Sequence, residues 1–432
     1  MKGQKRKGFL VFFFFLTKGF YFLADSWLAG APLQAITDFA LLYLLTALFI
    51  NRGNLKFYKC LLPNYKWILV LFVYITLEFV FTLLLGREQF GYSLKMYRLY
   101  IPLLSFFLIQ ELDLESIKYV VKRICALVMF SVVVHSLQAL FGVQLLFFAS
   151  VLDSGTGTLR YANIPELCYF VLIYLSVTLS VADWKNIVLL FVCMTSLVLS
   201  QHRGPMISYV MVMTLYVIMA RSGKKIIGYG MVAIIVLLFA GNYISNRFVG
   251  SDTGSDIKTV FSMSPSKSNT PADKHEMGTF TFRVLLLTER AAYLIDNPKY
   301  LLTGVGVRHE DSPRTKEFDF KLGTAYSDET GNEQLLQIIS CDLAWLTPLM
   351  LFGVIGIFLF LKFTFKNIKY LFAFRCSSDI FMSAFLYYIF LFLTSLKNDF
   401  IFGMQHITFM VLIIELARKS NGEIAEFKLF NK

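Results

Sequence analysis

The sequence predicts an all-α polytopic membrane protein of about twelve transmembrane helices, with one long extracytoplasmic loop containing short helices. Three observations predict it. Of 432 residues, 56% are hydrophobic and 16% charged, with Phe used 45 times; a soluble domain carries about 25% charged and roughly 45–50% apolar residues. The apolar residues form long runs without the half-polar spacing of a surface helix. Those runs recur at close to the ~20 residues that cross the hydrocarbon layer. Helices are the default, because backbone in lipid must satisfy its own hydrogen bonds and the runs lack the alternation of barrel strands.

Taken in order, the expected spans are 9–26, 33–50, 67–85, 92–110, 120–142, 164–181, 187–201, 205–220, 226–244, 343–361, 380–396 and 400–417. The first contains Lys18, and the fourth carries Lys95 and Arg98. The N-terminus has the basic start and apolar run of a signal peptide. The stretch "LAGAPLQ" with Pro32 is a poor cleavage site, so an uncleaved helix is expected. Basic segments fall at "MKGQKRKG", "NRGNLKFYK", Lys118–Arg123, "RSGKK", Lys362–Arg375 and the tail from Arg418. With twelve spans they share one side, which the positive-inside bias makes cytoplasmic, with both termini there. That bias accounts for most of the formal net charge of +12, and no nucleic-acid partner is expected.

The organisation is then an N-terminal bundle of about nine helices over 1–244, a large extracytoplasmic loop over 245–340, about three helices over 341–417 and a cytoplasmic tail over 418–432. The first part of the loop is rich in Ser, Gly, Asp and Thr and reads as a mobile segment. "TFRVLLLTERAAYLIDNP" has helical spacing and Pro298 ends it. Arg283 and Arg290 stand two turns apart on it and project from one face. "LLTGVGVRHE" follows as a glycine-containing turn.

The six cysteines are scattered, and no Cys/His cluster has metal-ligand spacing. There is no P-loop, GxGxxG or HExxH. No cofactor and no metal are expected.

Three pieces carry a resemblance. "SQHRGPMISYVMVM" resembles a Ser-x-Arg-Gly signature at the outer start of a span, with Arg203 on its arginine. "FRVLLLTERAAYLIDNPKYLLTGVG" resembles an arginine, amphipathic helix, Pro, then Gly-x-Gly, with Arg283 on the arginine. "DLAWLTPLMLFGVIG" resembles the helix leading to Gly-x-x-Gly, with Asp342 standing where ligases have histidine. In this order the pieces resemble the O-antigen polymerase and ligase family over roughly residues 160–361, and the departure at Asp342 favours polymerase.

The resemblance implies a membrane glycosyltransferase that polymerises polyprenyl-diphosphate-linked oligosaccharide repeats at the outer face of the bacterial cytoplasmic membrane. It would make O-antigen, capsular or exopolysaccharide. Its partners would be an undecaprenyl-diphosphate-linked oligosaccharide, membrane lipid and a chain-length regulator. A sugar hydroxyl attacks the donor's anomeric carbon and the lipid diphosphate leaves, so cationic groups near the diphosphate lower the barrier. Arginine stays charged and grips phosphate oxygens in a fork. Arg203, with Arg283 and Arg290 from the loop helix, would clamp the diphosphate. An arginine at a span end is otherwise an interfacial anchor, and Arg290 has Glu289 and Asp296 as alternative partners.

Asp342 is the expected base, with Glu333, Glu329, Asp328 and His309 as rivals. Trp345 would stack on a sugar ring or anchor the interface. Arg160 and Asn163 are candidate glycan contacts. His135 is expected to be a packed histidine, and Glu78 a satisfied polar contact or part of the lipid path. Two other functions stay open: a ligase transferring glycan to lipid A core, and a transporter or flippase of lipid-linked sugars. A flippase would place charged or broken helices inside the bundle.

Overall fold

Helices make up nearly all of the regular structure that the computed structural model describes, namely residues 2–28, 35–51, 63–146, 150–153, 158–161, 164–165, 167–180, 183–200, 202–220, 279–327, 333–340, 343–421 and 428–430. In chain order the N-terminal part has α1 (Lys2–Leu16), α2 (Thr37–Ile50), α3 (Pro63–Leu84), α4 (Phe90–Tyr97), α5 (Phe106–Gln110), α6 (Leu114–Phe141), α7 (Cys168–Val177), α8 (Trp184–Leu199) and α9 (Arg203–Ala220). The polar part has α10 (Thr279–Asp296), α11 (Pro298–Thr303) and α12 (Pro313–Lys316). It is followed by α13 (Leu346–Phe374), α14 (Asp379–Thr394) and α15 (Met404–Lys419). Two small antiparallel hairpins interrupt them: β1 (Ser150–Asp153) with β2 (Thr158–Tyr161), and β3 (Ala325–Ser327) with β4 (Glu333–Leu335).

Among the described residues, three helices are long and apolar enough to cross a membrane: Tyr65–Leu84, Leu114–Phe141 and Leu346–Phe374. Shorter apolar helices stand at Thr37–Ile50, Cys168–Val177, Trp184–Leu199, Arg203–Met219 and Asp379–Thr394, and the expected span 226–244 lies outside the described residues. Two departures have local causes. The first helix stops at Leu16, because Lys18, Gly19, Phe20 and Tyr21 all take positive φ and end the right-handed turn. The fourth expected span is broken: α4 passes into a 3-10 segment, Arg98–Ser105, around Pro102, and resumes as α5.

Every residue of α7 is buried, as is 406–417 of α15, so these two helices form the bundle's middle. That is why they show no polar stripe. Their neighbours turn large apolar side chains outward, including Leu84, Phe130, Val210, Ile218 and Phe358, each more than half exposed. Exposed apolar surface on this scale marks contact with lipid or with another protein.

Two groups of polar contacts mark two ends of the bundle. At one, Lys5 pairs with Glu111 at 3.1 Å, Arg418 grips both oxygens of Glu415, Tyr65 donates to Glu415, and the Leu429 amide donates to Tyr174. At the other, Ser93 donates to the Val307 carbonyl at 2.7 Å, the Val307 amide donates to Thr82, and Trp345 donates to Ser395. Tyr65 and Thr82 belong to the same helix, α3, seventeen residues apart, so the ends are separated by about 26 Å. All of α10–α12 belongs with the second end.

Candidate functional site

The site is built where that second end meets the polar part. Its frame is an interlock of glycines. Gly353 (φ 62°, ψ −164°) breaks α13, and the Val305 amide donates to the Met350 carbonyl at 2.8 Å across the break. Tyr74 of α3 donates to the carbonyl of Phe352, two residues on. A Cβ on Gly304 would lie 2.3 Å from the Leu351 carbonyl, one on Gly353 2.4 Å from the Leu302 oxygen, and one on Gly306 2.4 Å from Thr82 Oγ1. All three take positive φ, so only glycine fits both the space and the backbone. The two glycine motifs noted in sequence therefore face each other.

Behind the interlock lies a small folded core. Glu310, 5% exposed, accepts from the backbone amides of Gln337, Ile338 and Ile339. Burial pushes its carboxyl up, and those three amides with Arg290 pull it back. Arg290 is 1% exposed. Its guanidinium pairs with Glu289, donates to the carbonyls of Gln337 (2.9 Å), Leu322 (2.6 Å) and Leu336 (3.3 Å), and lies 3.8 Å over the Phe320 ring. Burial lowers its pKa to about 10, so it stays charged at neutral pH. This corrects the expectation of an Arg290 facing a substrate: the buried face of α10 turns it inward, where backbone carbonyls take its donors. Arg283, two turns earlier, is half-buried.

Arg203 opens α9 and is half-buried. Its neighbour Gly204 abuts Lys397, whose Cδ lies 2.9 Å from where a Cβ would stand. The same loop, 395–403, receives the Trp345 indole N–H on Ser395 (2.9 Å) and sets Phe402 edge-on to the Trp345 ring. Trp345 is thus packed into the frame. Arg160 lies on β2 opposite Val151, and Glu333 begins β4 opposite Ser327. Asp342, Asp328, Glu329 and Asn163 lie outside the described residues. Their surroundings are partly described for Asp342. Ser340 N donates to Thr347 Oγ1 and Leu343 N to Ser340 Oγ, so both flanks are tied down.

The residues next to those flanks, Ile339 and Ala344, line a cavity of about 290 Å³. Its polar lining is Thr37, Asp38, Arg98, Tyr100, Thr347, Asp399 and Gln405, and Gly403 of the 395–403 loop lies on the same wall. Arg98 Nη1 pairs with Asp38 Oδ2 at 3.1 Å, with the side chains 27% and 9% exposed. Asp38 also accepts the Ala35 amide, which holds the start of α2. A second cavity of about 280 Å³ shares Leu16, Thr37 and Gln405 with the first and carries Lys18, which pairs with Asp25 at 2.5 Å. Sequence reasoning missed this groove. Its signals were present, since Lys18 and Arg98 are charges inside expected spans.

His135 is a packed histidine, its Nδ1 2.7 Å from Ser196 Oγ and fully buried. Glu78 is buried, with Tyr74 and Arg87 as neighbours. Among the described residues no His, Cys, Asp and Glu group could hold a metal ion.

No protein-family model matches the chain, and no curated protein matches it.

Proposed function

We propose that the chain is a membrane glycosyltransferase that extends a polysaccharide from polyprenyl-diphosphate-linked repeat units, at the extracytoplasmic face of the bacterial cytoplasmic membrane. The observation that carries this is convergence at one end of the bundle. The start of α9 with Arg203, the loop 395–403, Trp345, both flanks of Asp342 and the charged cavity adjoin there, under the polar part. The twelve-span topology, with both termini cytoplasmic, sets that end outside. The basic segments that favour this orientation include the N-terminus and the Arg418–Lys419 pair, both at the opposite end.

In the reaction the acceptor hydroxyl forms a C–O bond to the donor's anomeric carbon while the bond to the diphosphate breaks. The electron pair leaves with the diphosphate, and the hydroxyl proton passes to a carboxylate, for which Asp342 is our choice. Arg203 and Arg283 stabilise the departing diphosphate. Arg290 has no part in that contact; it holds the shape of the polar part. The substrates are lipid-linked glycans and no cofactor is needed.

One observation favours a second reading, a flippase for the same lipid-linked sugars. The fourth span is broken at Arg98–Ser105, and its charge faces a cavity, as in transporters.

Complementation in the native host tests the proposal, comparing wild type, Arg203→Ala and Asp342→Asn, with membrane expression confirmed and the surface glycan run on a gel. Deletion should leave single-repeat glycan, and neither variant should restore long chains. Normal glycan length without the gene, or full activity of both variants, would overturn it. Lipid-linked repeats accumulating on the cytoplasmic side would point to the flippase.

A further inference from the structure

Charged side chains within membrane-spanning segments are costly, and they are kept where they meet a ligand or a pathway. Arg98 is such a group. It begins the 3-10 break of the fourth expected span, and irregular backbone at that depth is tolerated where it is buried in protein or lines a cavity. The break here lines one, with Arg98, Tyr100 and Pro102 on its wall. Arg98 does not simply neutralise Asp38 in a sealed core, since its side chain remains 27% exposed while that of Asp38 is 9% exposed. The guanidinium therefore has one side on a buried carboxylate and another toward the cavity. In the adjoining cavity, Lys18 repeats the pattern with Asp25. It lies in a run of four residues at positive φ, and backbone strain of this kind concentrates at ligand sites.

We propose that this groove is an anion seat for a phosphate-bearing lipid headgroup, in which Asp38 is the exchangeable counter-ion of Arg98. An incoming phosphate ester takes over part of the guanidinium fork from Asp38; Asp399, the second carboxylate on the lining, opposes it, so Asp399→Asn should tighten binding as Asp38→Asn does. A cavity of about 290 Å³ sits at the small end of ligand sites, enough for a phosphate or diphosphate with part of what it carries. The apolar remainder of its lining, including Leu41, Leu99 and Met404, suits the first carbons of a lipid chain. The inference rests on the membrane reading above, and it deepens the glycosyltransferase reading by naming a lipid-phosphate seat separate from the contact that Arg203 and Arg283 make with the departing diphosphate, on residues outside the motifs that carry the resemblance.

Exchange predicts opposite effects from the two partners. Arg98→Gln removes the cation and should weaken binding at least tenfold. Asp38→Asn keeps an acceptor for the Ala35 amide but removes the competing charge, so it should tighten binding several-fold. A merely structural ion pair gives losses, or no change, from both. The probe is radiolabelled undecaprenyl diphosphate bound to the full chain in nanodiscs, with unlabelled phosphatidylglycerol or inorganic pyrophosphate as competitors and the thermal midpoint of each variant as a folding control. Competition by pyrophosphate but not by phosphatidylglycerol identifies the lipid diphosphate as the occupant. Equal competition by phosphatidylglycerol keeps the seat and makes bulk phospholipid the source. Should Arg98→Gln fail to fold, Arg98→Lys, which keeps the charge without the fork, replaces it. Unchanged or weaker binding by folded Asp38→Asn, or wild-type binding by folded Arg98→Gln, overturns the proposal. Glycan length in cells carrying the same variants separates the two claims. Long chains made by a variant that leaves binding unchanged would sink the seat and spare the enzyme, whereas normal chains without the gene would sink the enzyme alone.

Discussion

Arg290 shows how far a residue's role depends on what surrounds it. Its spacing from Arg283 is a sequence fact, and the shared face follows from helix geometry. Which face is buried does not, because the carbonyls that receive Arg290 belong to Leu322, Leu336 and Gln337, far along the chain. Removing a buried, paired charge partner typically costs roughly 3–5 kcal/mol. Arg290→Ala should therefore lower the thermal midpoint of the purified protein sharply. Arg290→Lys should fail to rescue it, since a point charge cannot reach three carbonyls and Glu289 together. Arg283→Ala should leave the midpoint nearly unchanged and reduce chain elongation. A stable Arg290→Ala variant with weakened lipid binding would reverse these assignments. The Arg98–Asp38 pair was half legible for the same reason. The arginine stands out in an apolar run, while its partner is sixty residues earlier.

At the scale of elements, the glycine turn over 304–306 was readable from its composition, and the break in α13 was not. Gly353 lies within a run whose apolarity predicts an unbroken helix. The break exists because the loop's Leu302 and Gly304 occupy the space beside it. Gly304→Ala and Gly353→Ala should each cost roughly 1–3 kcal/mol from overpacking, with added backbone strain, read as a lowered midpoint in detergent. Gly86→Ala is the control. It also has positive φ (60°) but has nothing within 4 Å of its Cβ position, so it should cost only the strain. Equal losses at all three would mean that the interlock contributes nothing. The fourth span was expected as one helix for a similar reason: hydropathy counts residues and does not register that Pro102 and a cavity together let the backbone change form.

For the whole molecule, composition points to the membrane class, and among the described residues three helices are long and apolar enough to cross a membrane. Span lengths were less legible. The ten-residue α7 is enclosed by other helices, so its run of apolar residues reflects protein contact as much as lipid. The proposed topology places Cys376, exposed between α13 and α14, on the cytoplasmic side. In a chain with the other cysteines replaced by serine, a membrane-impermeant maleimide should label it only after the cells are opened. A cysteine at Leu396, exposed on the 395–403 loop, should react in intact cells. Labelling in the reverse order would invert the molecule and remove the site from the outer face.

The most direct test of the central claim is chemistry by the purified chain. Reconstituted into liposomes with undecaprenyl-diphosphate-linked repeat units added from outside, protein inserted with the site outward should convert single repeats into a ladder of longer glycans. It should release undecaprenyl diphosphate as it does so, and Arg203→Ala should stop both. Unchanged single repeats from folded wild type, or their movement across the bilayer without lengthening, would contradict the account.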